Sequence, residues 1–179
     1  MISRFPAFAL VLLLAFGTVA SSARAEWEPE GSITGQLHLE LGDQGERGGT
    51  LQVDLWKRIR FARIGVAFGL GALTGGADAG ETNRAFAPVG LSLGITGMGS
   101  YVGGSLTVRA GPWGGATNDG LQGGAFVSAG GSLDLRWGDR LAVSLVVDLW
   151  LIAGAGETRT TVAPGLALRW TWPDEASPL

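Results

Sequence analysis

Between Gly31 and Trp172, apolar side chains recur at every second position in eight separate stretches. In the first, Gly31 to Gly42, Ile33, Leu37, Leu39 and Leu41 share one face, and Thr34, Gln36, His38 and Glu40 the other. Thr50 to Lys57 sets Leu51, Val53 and Leu55 against Gln52 and Asp54, and Arg60 to Ala72 sets Ile64, Val66, Phe68 and Leu70 against Arg63, Gly65, Ala67 and Gly69. Arg84 to Thr96 places Val89, Leu91, Leu93 and Ile95 opposite Gly90, Ser92 and Gly94. Tyr101 to Ala110 places Val102, Leu106 and Val108 opposite Gly103, Ser105, Thr107 and Arg109. The pattern continues through Leu121 to Trp137, Arg140 to Ile152 and Thr158 to Trp172. A period of two is that of an extended strand, and no stretch keeps a helical period among so many glycines, which penalise helices. Leu141 to Ala155 is apolar enough to suggest a membrane helix, but Asp148 in its middle falls on the polar parity of a strand. The fold class is all-β.

Alternation alone suits a soluble sandwich as well as a barrel. The composition of the second face separates them. Solvated strand faces favour Thr, Lys, Glu and Arg, whereas this face is mostly Gly, Ala and Ser, which suit a narrow concave interior. Its ions are balanced: Glu40, Asp54, Asp134 and Asp148 against Arg63, Arg109, Arg136 and Arg169. Enclosing both signs in one lumen lets them pair and offset part of their desolvation. The apolar parity is almost free of charge, as hydrocarbon requires, since Arg or Lys at a bilayer midplane costs about 2–4 kcal/mol. A sheet in hydrocarbon must have no unpaired edge. The expectation is an eight-stranded antiparallel up-and-down transmembrane β-barrel.

Three linkers read as tight, near Lys57-Arg58-Ile59, at Gly97-Met98-Gly99-Ser100 and at Gly138-Asp139. Four read as longer, around Gly42–Gly49, Thr74–Asn83, Gly111–Gly120 and Ala153–Glu157. Short turns belong on the periplasmic side of an outer membrane, so both termini are expected there. Trp137, Trp170 and Trp172 share that end and the apolar parity, as an aromatic girdle would. The opposite girdle is weaker: Phe68 is a candidate, Trp113 reads as a loop residue, and Trp150 has the wrong parity.

Residues 1–25 read as a cleaved signal peptide. Arg4 supplies the charge, Ala7 to Phe16 an apolar run too short for a spanning helix, and Ala23-Arg24-Ala25 the cleavage site. The barrel would occupy 26–172 and a short tail 173–179. Removing Arg4 and Arg24 leaves 11 basic against 16 acidic side chains, a net charge of −5. That excludes nucleic acid as a partner, which needs clustered Lys and Arg. The absence of cysteine excludes disulfides and thiol chemistry in an exported chain. Charged residues are only 16%, against about 25% in ordinary soluble domains, so something other than water covers much of the surface.

On this pattern the chain resembles the small eight-stranded outer-membrane barrels of the outer-membrane protein A and X type, from Gly31 to Trp172. The resemblance implies residence in the outer membrane of a diderm bacterium and contact with its lipid and lipopolysaccharide; the sequence leaves the oligomeric state open, with a monomer favoured. Leu166, Leu168, Trp170 and Trp172 are similar to the terminal-strand signal read by the barrel-assembly machinery. The chain departs from that signal in continuing with Pro173-Asp174-Glu175-Ala176-Ser177-Pro178-Leu179.

Candidate chemistry is sparse, and no catalytic, cofactor or metal residue is assigned. The one histidine, His38, lies on the inward parity two residues from Glu40, and a hydrolase would pair it with Glu40 as orienter and a hydroxyl such as Thr161. No nucleophile stands at a telling spacing, so His38 reads first as one polar group of the lumen. Trp56, Phe126 and Trp150 would help to fill the bore, although the many small inward residues favour watery gaps. Asp43, Glu46, Asp78, Glu81, Asp119 and Glu157 read as solvated loop carboxylates without calcium-loop spacing. The expected role is structural or surface-interacting, without a porin-sized channel. The alternatives are a narrow conduit or site for a small hydrophobic molecule and, further off, a lipid-modifying enzyme using His38.

Overall fold

The computed structural model describes residues 28–42, 45–75, 83–118, 120–154 and 157–172. Each alternating stretch is a strand: β1 (Glu28–Glu40), β2 (Arg47–Ile59), β3 (Ala62–Thr74), β4 (Asn83–Met98), β5 (Val102–Thr117), β6 (Gly120–Trp137), β7 (Leu141–Gly154) and β8 (Glu157–Thr171). They pair antiparallel in chain order, and β1 closes the barrel against β8. The register aligns like with like across the seam. Leu168, Ile33, Val53, Phe68 and Val89 are successive cross-strand partners on the outer face.

The parity assignments hold on every strand. Leu91, Leu106, Leu145 and Leu166 point outward and remain more than half exposed, while Asp54, Ser128, Asp134 and Thr161 on the opposite parity are fully enclosed. Soluble monomers rarely show a contiguous apolar patch beyond a few hundred Å². Here the apolar face runs right round the molecule. Trp137 and Trp172 are exposed at the end where β1 begins and β8 finishes, with Trp170 edge-on to Trp172.

Some boundaries differ from the sequence reading. The turn expected at Lys57-Arg58-Ile59 falls at Arg60 and Phe61, with Arg60 in the left-handed region (φ 55°). The long loop expected over Gly111–Gly120 is instead a ladder, running from Gly111 against Phe126 to Thr117 against Gly120. Likewise β7 and β8 leave only 155–156 between them, so the long–short alternation survives only at 41–46 and 75–82. Trp113 is therefore a strand residue, pointing inward and buried, with its indole Nε1 donating to the Ala153 carbonyl at 3.0 Å. Gly124 is its cross-strand partner. A Cβ there would strike the Ala153 carbonyl and sit 2.8 Å from the Trp113 indole nitrogen, so glycine makes room for the ring. Trp150 points into the lumen, as its parity requires. The expected signal peptide (1–25) and tail (173–179) lie outside the described residues, as do Asp43, Asp78, Glu81 and Asp119.

One inward glycine carries a prediction. A methyl at Gly130 would collide with the Val147 carbonyl and with Asp148 Oδ1, a carboxylate held in place by Arg109 and Gln36. Gly130→Ala is expected to cost about 1–3 kcal/mol of stability through overpacking, read as a lower urea midpoint of the refolded barrel.

The lumen as candidate functional site

The middle of the bore is closed by ions from strands that are not neighbours. Arg109 of β5 forks onto Asp54 of β2, with Nε donating to Oδ1 at 2.9 Å and Nη2 to Oδ2 at 3.2 Å. Its Nη1 reaches across to Asp148 of β7 at 3.0 Å. Gln52 donates to Asp54 at 3.0 Å and Gln36 to Asp148 at 2.6 Å, so each carboxylate has a second donor. Charges this deeply enclosed persist only when paired and hydrogen-bonded.

Toward the β1–β2 and β3–β4 loops the filling turns apolar. Leu73, Phe86, Trp113, Phe126, Trp150, Ile152 and Ala163 form one buried cluster. Phe126 stacks on Trp150 with centroids 5.2 Å apart. His38 stands at its edge, 5.2 Å from the Trp150 ring and 6.2 Å from that of Phe86. Its Nδ1 lies 2.9 Å from the Thr161 hydroxyl and its Nε2 2.6 Å from that of Thr50. The structure thus brings His38 and Thr161 together but leaves Glu40 out. Glu40 accepts instead from the backbone N–H of Glu46, at 3.0 Å. With a threonine on each ring nitrogen, no carboxylate orients the imidazole, and both His38 and Thr161 are wholly buried.

Above the apolar cluster lies an ionic cap that the sequence reading missed. Glu46, expected as a solvated loop carboxylate, is buried and ion-pairs with Arg159; Arg84 approaches it at 3.6 Å. Glu157 ties to Arg159 at 2.7 Å and to Arg84 at 3.6 Å. The available signal was inward parity: Arg159 lies two residues before Thr161 on the same strand face.

At the terminal end Arg169 donates to Asp134 at 2.7 Å and to the Ser105 hydroxyl at 3.1 Å. Arg63 lies over the Trp56 ring at 4.5 Å and donates to Thr107 at 3.1 Å; Glu30 stands 3.8 Å away. Arg58 pairs with both Glu28 and Glu30. The expected four-against-four pairing is thus only partly realised. Arg109 takes two of the four acids and Arg169 one, Glu40 takes no cation among the described residues, and Arg136 donates to the Asp139 carbonyl at the rim. Below Arg63 and Arg169 a cavity of about 590 Å³ opens at the mouth. Among the described residues no three His, Asp or Glu side chains converge to hold a metal ion.

A closed barrel of eight strands, apolar outside and with a polar, obstructed bore, has the fold of the small eight-stranded outer-membrane barrels. It is similar to Neisserial surface protein A, at a TM-score of 0.60 and 10% identity over 82% of this chain and 96% of that one. It is also similar to the outer membrane enzyme PagL, at 0.51 and 11% over 78% and 98% of the two chains. The N-terminal β-barrel domain of OprF from Pseudomonas aeruginosa gives 0.48 and 10% over 80% and 97%. No protein-family model matches the chain, and no curated protein matches it in sequence.

Proposed function

We propose that this chain is an integral outer-membrane barrel with a structural or surface-interacting role, its termini toward the periplasm and its bore obstructed. The observation that carries the reading is the pairing of a continuous outward belt of Leu, Val and Ile with an interior blocked twice. The Asp54–Arg109–Asp148 bridge blocks it once, and the cluster around Trp150 blocks it again. Water or a solute would have to displace both. The same cluster occupies the space a small hydrophobic molecule would need, which weakens the conduit reading.

The enzyme reading has one observation in its favour, the 2.9 Å approach of His38 to Thr161. A hydroxyl is activated for attack by a base that is itself oriented, and here the second ring nitrogen meets Thr50. The likeness to PagL is one of fold, so it does not restore the missing orienter.

The test is made on the refolded mature chain. A closed barrel is expected to run compact on SDS gels until boiled, and planar-bilayer recordings are expected to show no large steady conductance. Identical mobility before and after boiling would defeat the barrel; stable porin-sized openings would defeat the obstructed bore.

A further inference from the structure

The terminal mouth has more positive charge than the barrel itself neutralises. Arg58, Arg63, Arg136, Arg140 and Arg169 all line its cavity. The carboxylates on the same wall are Glu28, Glu30 and Asp139. Arg58 engages both Glu28 and Glu30, and Arg169 is paired with Asp134 just inside the bore, so that five arginines face four carboxylates. Among the described residues no carboxylate lies within ion-pair distance of Arg136 or Arg140, and Arg63 has only Glu30, at 3.8 Å. The side chain of Arg63 is 1% exposed, and its Nε has no acceptor; the Nε of Arg169 is likewise buried and unmatched. A guanidinium enclosed in this way is stabilised by a further acceptor.

We propose that this mouth binds a compact phosphate-bearing anion. A phosphate presents several oxygens to donors arriving from different directions, which suits guanidinium forks spread around a cavity better than a carboxylate does. A volume of about 590 Å³ exceeds what one phosphate fills and lies in the range of small-molecule sites, about 300–1,000 Å³. Leu141, Trp170 and Trp172 also line the cavity and give a non-ionic body something to lie against. Two sources share this chemistry: a free phosphate compound entering the mouth, or the headgroup of an anionic phospholipid. The site itself rests on the barrel alone; the lipid source also needs the orientation proposed above.

The full mature chain, refolded in zwitterionic detergent, is titrated with inorganic pyrophosphate by calorimetry at low and high salt. In parallel it is placed in nanodiscs of mixed phosphatidylglycerol and phosphatidylcholine, and the retained lipid is identified by native mass spectrometry. Saturable pyrophosphate binding that weakens with salt supports a soluble source, and selective retention of phosphatidylglycerol supports a headgroup. Arg136→Gln/Arg140→Gln is expected to weaken whichever is observed by about tenfold, while Arg47→Gln at the opposite end leaves it unchanged. Gel mobility before and after boiling shows that each variant is folded, and the single variants replace the double one if it is not. Neither saturable pyrophosphate binding nor lipid selectivity, or equal binding by the double variant and the parent, overturns the proposal.

Discussion

Replacing Arg109 with alanine is expected to cost about 3–5 kcal/mol, the penalty of leaving buried charge without its partner. The substitution strands two carboxylates, because Asp54 and Asp148 are both essentially without solvent contact and share this one guanidinium. Gln52 and Gln36 would still donate to them. Two neutral amides do not replace a cation, so the expected response is partial unfolding. A network made neutral throughout, Asp54→Asn/Arg109→Gln/Asp148→Asn, is expected to recover part of the loss, since it leaves no buried charge without its partner. Equilibrium urea unfolding of the refolded barrels measures both. A single variant as stable as the parent would mean that the bridge does not hold the bore closed.

The second large effect is expected on the outside. Leu145 is the third of the six outward apolar residues that β7 carries from Leu141 to Leu151, lies between Leu133 and Leu166 on the outer face, and is 56% exposed. In a water-soluble protein, Leu145→Arg at so open a position would change stability by about 0.5 kcal/mol or less. With acyl chains against that face, the cost is expected at about 2–4 kcal/mol. Leu121, 91% exposed at the start of β6 next to the hairpin turn, provides the depth control, and Leu121→Arg is expected to cost about 0–1 kcal/mol. Unfolding titrations in phospholipid vesicles compare the two. Equal, small effects at both positions would show that no hydrocarbon covers the belt.

Much of the lumen is legible in the sequence. Strand parity alone sent Asp54, Arg109, Asp148, Trp56 and Trp150 inward, because successive side chains on a strand must point to opposite faces. Parity also put His38 and Thr161 in one enclosure, but it misled about Glu40. That residue shares a face with His38, yet it sits at the strand end and accepts from the Glu46 backbone. Glu46 itself was misread because a carboxylate between strands ordinarily solvates a loop. Only the approach of Arg84 and Arg159 from β4 and β8 turns it inward. The Gly111–Gly120 ladder was missed for a related reason. Glycine is poor in strands on its own account, and the room for the Trp113 ring comes from Gly124 and Gly154, outside that stretch.

By itself, then, the order of residues determined the all-β class, the number of strands and the side to which each residue points, since these follow from a two-residue period carried by neighbours along the chain. The tertiary structure decided which enclosed ions meet, where the ladders stop and which end of the bore stays open. Those outcomes depend on the stagger between strands, set across the sheet by residues far apart in sequence: Arg109 finds Asp54 and Asp148 only once the sheet has closed on itself.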